Sequence, residues 1–193
     1  ESTSARSSVT TLGLIAGLRR ARERNELVLH YQPKVDLSTG RLIGAEALMR
    51  WRRNGALVPP MEFIPLAEET GEIIEMTRWA IRQAARQTRA WRDQLAMRIP
   101  VSVNVPAQAF ERLDLCHEIN EATREAGIEP NLIVLEITEN SVMRNVQDLI
   151  PRLMQLQQSE VIISIDDFGT GYSSLAYLSR LPIGELKIDK SFV

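Results

Sequence analysis

The sequence has few of the residues that build covalent or soft-metal frameworks. It holds one cysteine, Cys116, so no disulfide can close within the chain, and a reducing compartment suits it. Cys116 lies among helix-forming residues and reads as a small core residue. The two histidines, His30 and His117, are far apart, which argues against a zinc or copper site built on imidazole. No apolar run reaches the ~18–20 residues that span a membrane. Residues 1–10 are rich in Ser and Thr without an apolar centre, so they do not read as a signal peptide. They read as a linker preceding a folded domain over residues 11–193, which predicts a chain cut from a longer protein. Charge of one sign is also missing: 23 basic and 25 acidic residues leave a net charge of −2. That gives no basis for binding a DNA or RNA polymer through broad electrostatic attraction. Together these absences predict a cytoplasmic domain, either free or as the cytoplasmic part of a membrane-anchored protein.

What is present describes a single α/β domain. With 193 residues, 44% apolar and 25% charged, the chain can bury one sizeable core. Leu12, Ile15 and Leu18 at helical spacing predict an amphipathic helix over Thr11 to Glu26 with a basic end. Leu27 to Leu37 and Arg41 to Trp51 read as a hairpin around the turn Asp36 to Gly40. Asn54-Gly55 and Pro59-Pro60 mark a loop. Phe63 to Thr70 is a short helix ended by Gly71. Glu72 to Ala96 is a long one, with Ile73, Thr77, Ile81, Ala84, Thr88, Trp91 and Leu95 on its core face. Strands at Ile99–Val105, Leu132–Thr138, Val161–Asp166 and Glu185–Asp189 then alternate with helices at Ala107–Ala126, Val142–Gln158 and Ser173–Ser179. That alternation predicts parallel strands joined by right-handed crossovers.

Strand parity separates two faces. Val101, Val103, Val105, Ile133, Leu135, Ile137, Ile163, Ile165, Leu186 and Ile188 form an apolar set that should carry the helices, as should Ile43, Ala45, Ala47 and Met49. The opposite set is polar: Gly44, Glu46, Leu48 and Arg50; Ser102 and Asn104; Val134, Glu136 and Thr138; Ile162, Ser164 and Asp166; Glu185, Lys187 and Asp189. Parallel sheets are usually covered on both faces, so polar groups recurring at strand tips predict a barrel whose mouth is an active site. The stretch Ile162 to Tyr172 makes the point most sharply: an apolar strand ends in Asp166-Asp167 and a glycine-rich loop. Glu46, Glu136, Asp166 and Asp167 would repel one another without a cation among them. The donors are all oxygen, counting Asn104, which suits Mg²⁺ or Mn²⁺. Two alternatives stay open at this level: structural ion pairs with Lys187, Arg50 and neighbouring arginines, and proton abstraction beside a carboxylate in place of phosphoryl chemistry.

The chain resembles the EAL-domain family of bacterial cyclic-di-GMP phosphodiesterases. Seven motifs in order carry the resemblance: Tyr31-Gln32-Pro33; Glu46-Ala47-Leu48 with Met49-Arg50-Trp51; Phe63-Ile64-Pro65-Leu66-Ala67-Glu68; Ser102-Val103-Asn104; Glu136-Ile137-Thr138-Glu139; Asp166 to Gly171; and Lys187-Ile188-Asp189. The resemblance implies a TIM-type (β/α) barrel with an antiparallel first strand, which this chain leaves two strands short. The absent part would hold a further glutamate and a ligand-facing glutamine. It implies that Glu46, Asn104, Glu136 and Asp166 bind one divalent ion, and Asp166 and Asp167 a second. Lys187 would polarise the attacking water, with Asp167 and Glu139 as the other catalytic residues, Glu139 by anchoring the loop from Phe168 to Ser174. Gln32, Leu48, Arg50 and Asp189 would contact the substrate. The implied reaction hydrolyses cyclic-di-GMP to linear pGpG. A homodimer and an upstream sensory or cyclase domain are the implied partners. A receptor that binds without cleaving, and an inactive fragment that dimerises through open barrel edges, are the competing readings.

Overall fold

Asp36 sets the first turn of the chain's sheet. Its carboxylate accepts the backbone N–H groups of Ser38 and Thr39 at 3.1 and 2.7 Å, and both hydroxyls as well, an Asx-type closure of a tight turn. On either side run β1 (Leu27–Val35) and β2 (Leu42–Arg53), paired antiparallel. The computed structural model describes residues 13–144, 146–169 and 181–192. The linker expected over residues 1–10 and the helix expected at Ser173–Ser179 lie outside these.

Local chemistry moves several predicted boundaries. Asn54 and Gly55, expected to be a loop, have φ of 51° and 80°. This left-handed pair suits a two-residue hairpin turn, and a short β3 (Ala56–Val58) returns along β2. The next helix, α2 (Pro60–Thr70), begins three residues before Phe63 because Pro60 sits in its first turn, where a missing N–H costs nothing. It follows α1 (residues 13–21) and precedes α3 (Glu72–Leu95). Leu95, expected on the core face of α3, is 60% exposed at its frayed end. The predicted helix at 107–126 is two: α4 (Ala107–Arg112) and α5 (Leu115–Ala126). Asp114 interrupts them by capping α5, accepting the His117 N–H at 3.0 Å. Two further helices, α6 (Glu139–Arg144) and α7 (Val146–Gln158), complete the outer layer among the described residues.

The main sheet has the order β1-β2-β4-β5-β6-β7, with β3 paired to β2. Its later strands are β4 (Val101–Asn104), β5 (Ile133–Thr138), β6 (Ile162–Phe168) and β7 (Glu185–Ile188). From β2 to β7 the main path is parallel. The sheet is curled. Lys34 on β1 and Glu185 on β7 stand at opposite edges, yet their side chains meet at 2.8 Å. In a flat sheet five strand spacings would hold them ~24 Å apart. The curl makes this the wall of a TIM-type (β/α) barrel with an antiparallel first strand.

The convex face is packed by helices. Val101, Val103, Val105, Ile133, Leu135, Ile137, Ile163 and Ile165 are all buried there against Ile81, Ala84, Ile119 and Leu153. Trp79 and Trp91 pack partly buried onto this core, and Tyr31 meets the Trp91 ring edge-on at 4.9 Å. A second cluster joins Leu18, Leu27, Trp51, Phe63 and Ile73. Three residues assigned to the helix-bearing face depart from it: Leu186 is 41% exposed, Ile188 63% and Ile43 53%. β7 is an edge strand, and its convex-side residues are not covered among the described residues; Ile43 precedes the first pairing of β2 with β4. The cap on α5 gives a stability prediction. Asp114→Ala lowers unfolding free energy by about 1 kcal/mol, measured by urea denaturation, with the curled sheet unaffected.

Candidate metal centre

The concave face is assembled from one or two residues of each strand. Register places Gln32 opposite Glu46 and Glu46 beside Ser102. It sets Asn104 beside Glu136, Glu136 beside Ser164, and Ser164 beside Glu185. Between the pairs Ile165–Leu186 and Phe168–Ile188 the register slips. Two residues, Asp166 and Asp167, therefore stand opposite Lys187 alone, which is a β-bulge. Asp167 takes the left-handed conformation, φ 53°, which Asp tolerates better than most residues. The bulge lets two adjacent acids lie near one strand tip, where a regular strand would send them to opposite faces.

Three carboxylates converge. Glu46, Glu136 and Asp166 each offer an oxygen, and these atoms lie within 4.8 Å of one another. The Lys187 ammonium donates to all three: to Glu46 Oε2 at 3.1 Å, Glu136 Oε2 at 2.8 Å and Asp166 Oδ2 at 2.9 Å. Asn104 Nδ2 donates to Glu46 Oε1 at 2.9 Å, leaving its carbonyl oxygen as the possible ligating atom. Asp166 Oδ1 accepts the N–H of Asp167 at 2.9 Å. Burial of Lys187 by itself disfavours its charge, but the hydrogen bonds with Glu136 and Asp166 outweigh that and hold its pKa above the usual lysine value. For Glu136 burial pushes the pKa up, and the two lysines that bond to it bring it below the usual carboxylate range.

The second of those lysines is Lys34, which sequence reasoning did not single out. Its ammonium donates to Ser102 Oγ at 2.7 Å, Glu136 Oε1 at 2.8 Å and Glu185 Oε1 at 2.8 Å. A signal existed: Lys34 is two residues from Gln32, so parity puts it on the same face as Glu46. Among the described residues the cluster thus holds four carboxylates, Glu46, Glu136, Asp166 and Glu185, and two ammonium groups. Two negative charges remain uncompensated. The ion-pair alternative therefore accounts for only half of the negative charge. A hard divalent cation with oxygen ligands fits the remainder in charge and in donor type.

The other predicted residues fall into three positions. Asp167 is exposed and stands outside the three-carboxylate set. Its pKa is raised, first by desolvation and then by Asp166 and Asp189. Glu139, buried at the start of α6, accepts the Gly169 N–H at 2.7 Å. Gly169 has φ 102°, and a Cβ there would lie 2.5 Å from the Phe192 ring, so only glycine fits. The rest of the loop that Glu139 was expected to anchor, Thr170 to Ser174, lies outside the described residues. Gln32 is exposed beside Glu46, and Leu48 and Arg50 are half-buried farther along the concave face of β2. The Arg50 guanidinium donates to the Met49 carbonyl at 2.8 Å. Asp189 Oδ1 accepts the Ser191 N–H at 2.8 Å, which ties it to the turn Lys190–Phe192; the Ser191 side chain first, and this backbone bond second, hold its carboxyl below the usual range.

Three hydrogen bonds from Lys187 hold the carboxylates together. Lys187→Met removes the cation that, among the described residues, Glu46, Glu136 and Asp166 share, so in EDTA its stability falls by at least about 2 kcal/mol. Added Mn²⁺ then raises the melting temperature of the variant more than that of the parent chain, as read by thermal unfolding.

The chain is 45% identical over 183 residues to the bifunctional diguanylate cyclase/cyclic di-GMP phosphodiesterase MucR of Pseudomonas aeruginosa, covering 94% of this chain and 27% of that protein. It is 37% identical over 183 residues to the cyclic di-GMP phosphodiesterase PdeR of Escherichia coli, covering 94% of this chain and 27% of that protein. The chain thus spans about a quarter of the length of the curated relatives it matches. Among solved structures, the Pseudomonas MucR phosphodiesterase in complex with cyclic-di-GMP superposes with a TM-score of 0.88 at 45% identity, covering 93% of this chain and 73% of that one. The EAL enzyme Bd1971 in its cGMP-bound form superposes with a TM-score of 0.87 at 33% identity, covering 98% of this chain and 53% of that one. Among the described residues no helix is long and apolar enough to cross a membrane. The family model described as EAL domain matches residues 15–193, and the chain belongs to the EAL-domain family.

Proposed function

We propose that this domain hydrolyses one phosphodiester bond of cyclic-di-GMP, with Mg²⁺ or Mn²⁺, to give linear pGpG. The observation that carries the reading is the convergence of Glu46, Glu136 and Asp166 on Lys187 at the concave rim, in a chain similar to proteins named as cyclic-di-GMP phosphodiesterases. Glu46, Asn104, Glu136 and Asp166 would hold one divalent ion, and Asp166 and Asp167 a second. When bound, divalent cations supply Lewis-acid stabilisation to the attacking and leaving oxygens of a phosphoryl transfer.

The protein's own groups do the rest. Lys187, whose three N–H donors go to Glu46, Glu136 and Asp166, orients the attacking water at the rim when one of those hydrogen bonds opens. The water oxygen adds to phosphorus as the P–O3′ bond breaks, the departing O3′ takes a proton from solvent, and the products are a 3′-hydroxyl and a 5′-phosphate. Asp167, on the exposed side of the bulge and in the field of Asp166 and Asp189, takes the proton that the water sheds. Glu139 holds Gly169, and through it the backbone that follows the bulge. Gln32, Leu48, Arg50 and Asp189 contact the dinucleotide, and the Arg50 guanidinium suits a phosphate. The domain acts as part of a longer signalling protein with an upstream sensory or cyclase domain, as a homodimer, on the cytoplasmic side.

Incubation with cyclic-di-GMP and Mn²⁺, followed by chromatography, should yield pGpG. EDTA should abolish the product, and Glu46→Ala should lower turnover at least a hundredfold, on the order expected for loss of metal-assisted catalysis. Binding without product would instead make the domain a receptor. Asp167→Asn should reduce kcat about a hundredfold or more while leaving nucleotide affinity nearly unchanged, the pattern of a group that acts in the transition state alone. Equal loss of turnover and affinity would remove Asp167 from that role.

A further inference from the structure

Glu136 has no solvent-exposed side-chain surface, yet each of its oxygens has its own ammonium partner. Lys187, which also bonds Glu46 and Asp166, takes Oε2; Lys34 takes Oε1. Lys34 approaches from the antiparallel strand β1, on the amino-terminal side of the parallel strands. It stands opposite Gly44, where a Cβ would touch Lys34 Cδ at an ordinary contact distance of 3.8 Å and would crowd the Pro100 carbonyl oxygen at 3.2 Å. The three donors of the ammonium are used up on Ser102, Glu136 and Glu185. No other described group supplies Oε1. Ser164, in register between Glu136 and Glu185, is fully buried, but its hydroxyl bonds to none of the described residues.

We propose that Lys34 is a positioning residue for the metal centre: it fixes Glu136 Oε1 and so presents Oε2 toward Glu46 and Asp166. The proposal rests on the reading of that cluster as a divalent-cation site. Without Lys34, Oε1 has no donor, and the carboxylate turns both oxygens onto Lys187, which then competes with the ion for Glu136. The sign of the effect is diagnostic. Removing a positive charge near a cation site strengthens ion binding by Coulomb's law alone, whereas loss of an outer hydrogen bond that orients a ligand weakens it, typically 10–100-fold. A lysine that only braced the fold would lower the melting temperature in EDTA and leave ion affinity unchanged.

The test is calorimetric titration with Mn²⁺ of the parent chain, Lys34→Met, Lys34→Arg and Glu136→Gln, alongside melting temperatures in EDTA. Lys34→Met should bind Mn²⁺ about tenfold more weakly, and Lys34→Arg should stay within about threefold of the parent. In a Glu136→Gln background, Lys34→Met should cause no further loss, since it acts through that carboxylate. Equal or tighter binding by Lys34→Met, or a tenfold loss that persists in the Glu136→Gln background, overturns the proposal. If Lys34→Met does not fold, Lys34→Gln serves: neutral, with an amide NH₂ as donor, it should weaken binding by about threefold or more, and unchanged affinity overturns the proposal in the same way. A parent chain that fails to bind Mn²⁺ at all is a different result. It removes the metal-centre reading itself and this inference with it, whereas binding by the parent with no effect at Lys34 removes only the latter.

Discussion

A buried carboxylate held between two ammonium groups is the constraint on which the rest of the structure depends. Glu136 sits on β5, near the middle of the sheet order, with its side chain wholly out of solvent. An uncompensated charge there would cost several kcal/mol. Its partners come from the two ends of the sheet, Lys34 from β1 and Lys187 from β7. A flat sheet would keep both lysines out of reach, so charge compensation and curvature are the same requirement. The apolar residues on the convex face permit the curl by giving the helices a continuous surface to cover.

The same arrangement explains why the cluster is poised and not merely neutral. Four carboxylates meet two ammonium groups. A protein built only for stability would match them, or replace them with apolar residues at little cost. Retaining surplus negative charge at a strand-tip rim is what a cation-dependent site requires. The bulge at Asp166-Asp167 belongs to this logic. It places a left-handed residue next to the cluster, and the Glu139–Gly169 hydrogen bond holds the backbone just beyond it. Conformational cost is spent where charge is concentrated, as at many reactive sites.

Much of this was legible in the residues alone. Period-two alternation sorted the strands into an apolar and a polar face, and Val101, Ile133 and Ile163 are buried as that sorting requires. The same sorting placed Glu46, Asn104, Glu136, Asp166 and Lys187 on one face, and ordered motifs tied them to the EAL domain. Periodicity was blind to local chemistry at element ends. Pro60 starts α2 early, Asp114 splits a continuous helical pattern by capping, and Asn54-Gly55 makes a hairpin in place of a loop. It also could not say which strand lies at an edge, so Leu186 and Ile188 were assigned cover they lack among the described residues.

Lys34 marks the boundary between the two kinds of knowledge. By itself the sequence determined which segments are strands and which residues share a face, because side-chain direction along a strand is a local property of the backbone. It also determined the chemistry of the rim, an oxygen-rich set of donors. Which of those groups touch was decided only by the tertiary structure. Lys34 and Glu185 are 151 residues apart in the chain and at opposite edges of the sheet. They meet because strand twist and helix packing curl the sheet, and no local pattern encodes the distance across a curved interior.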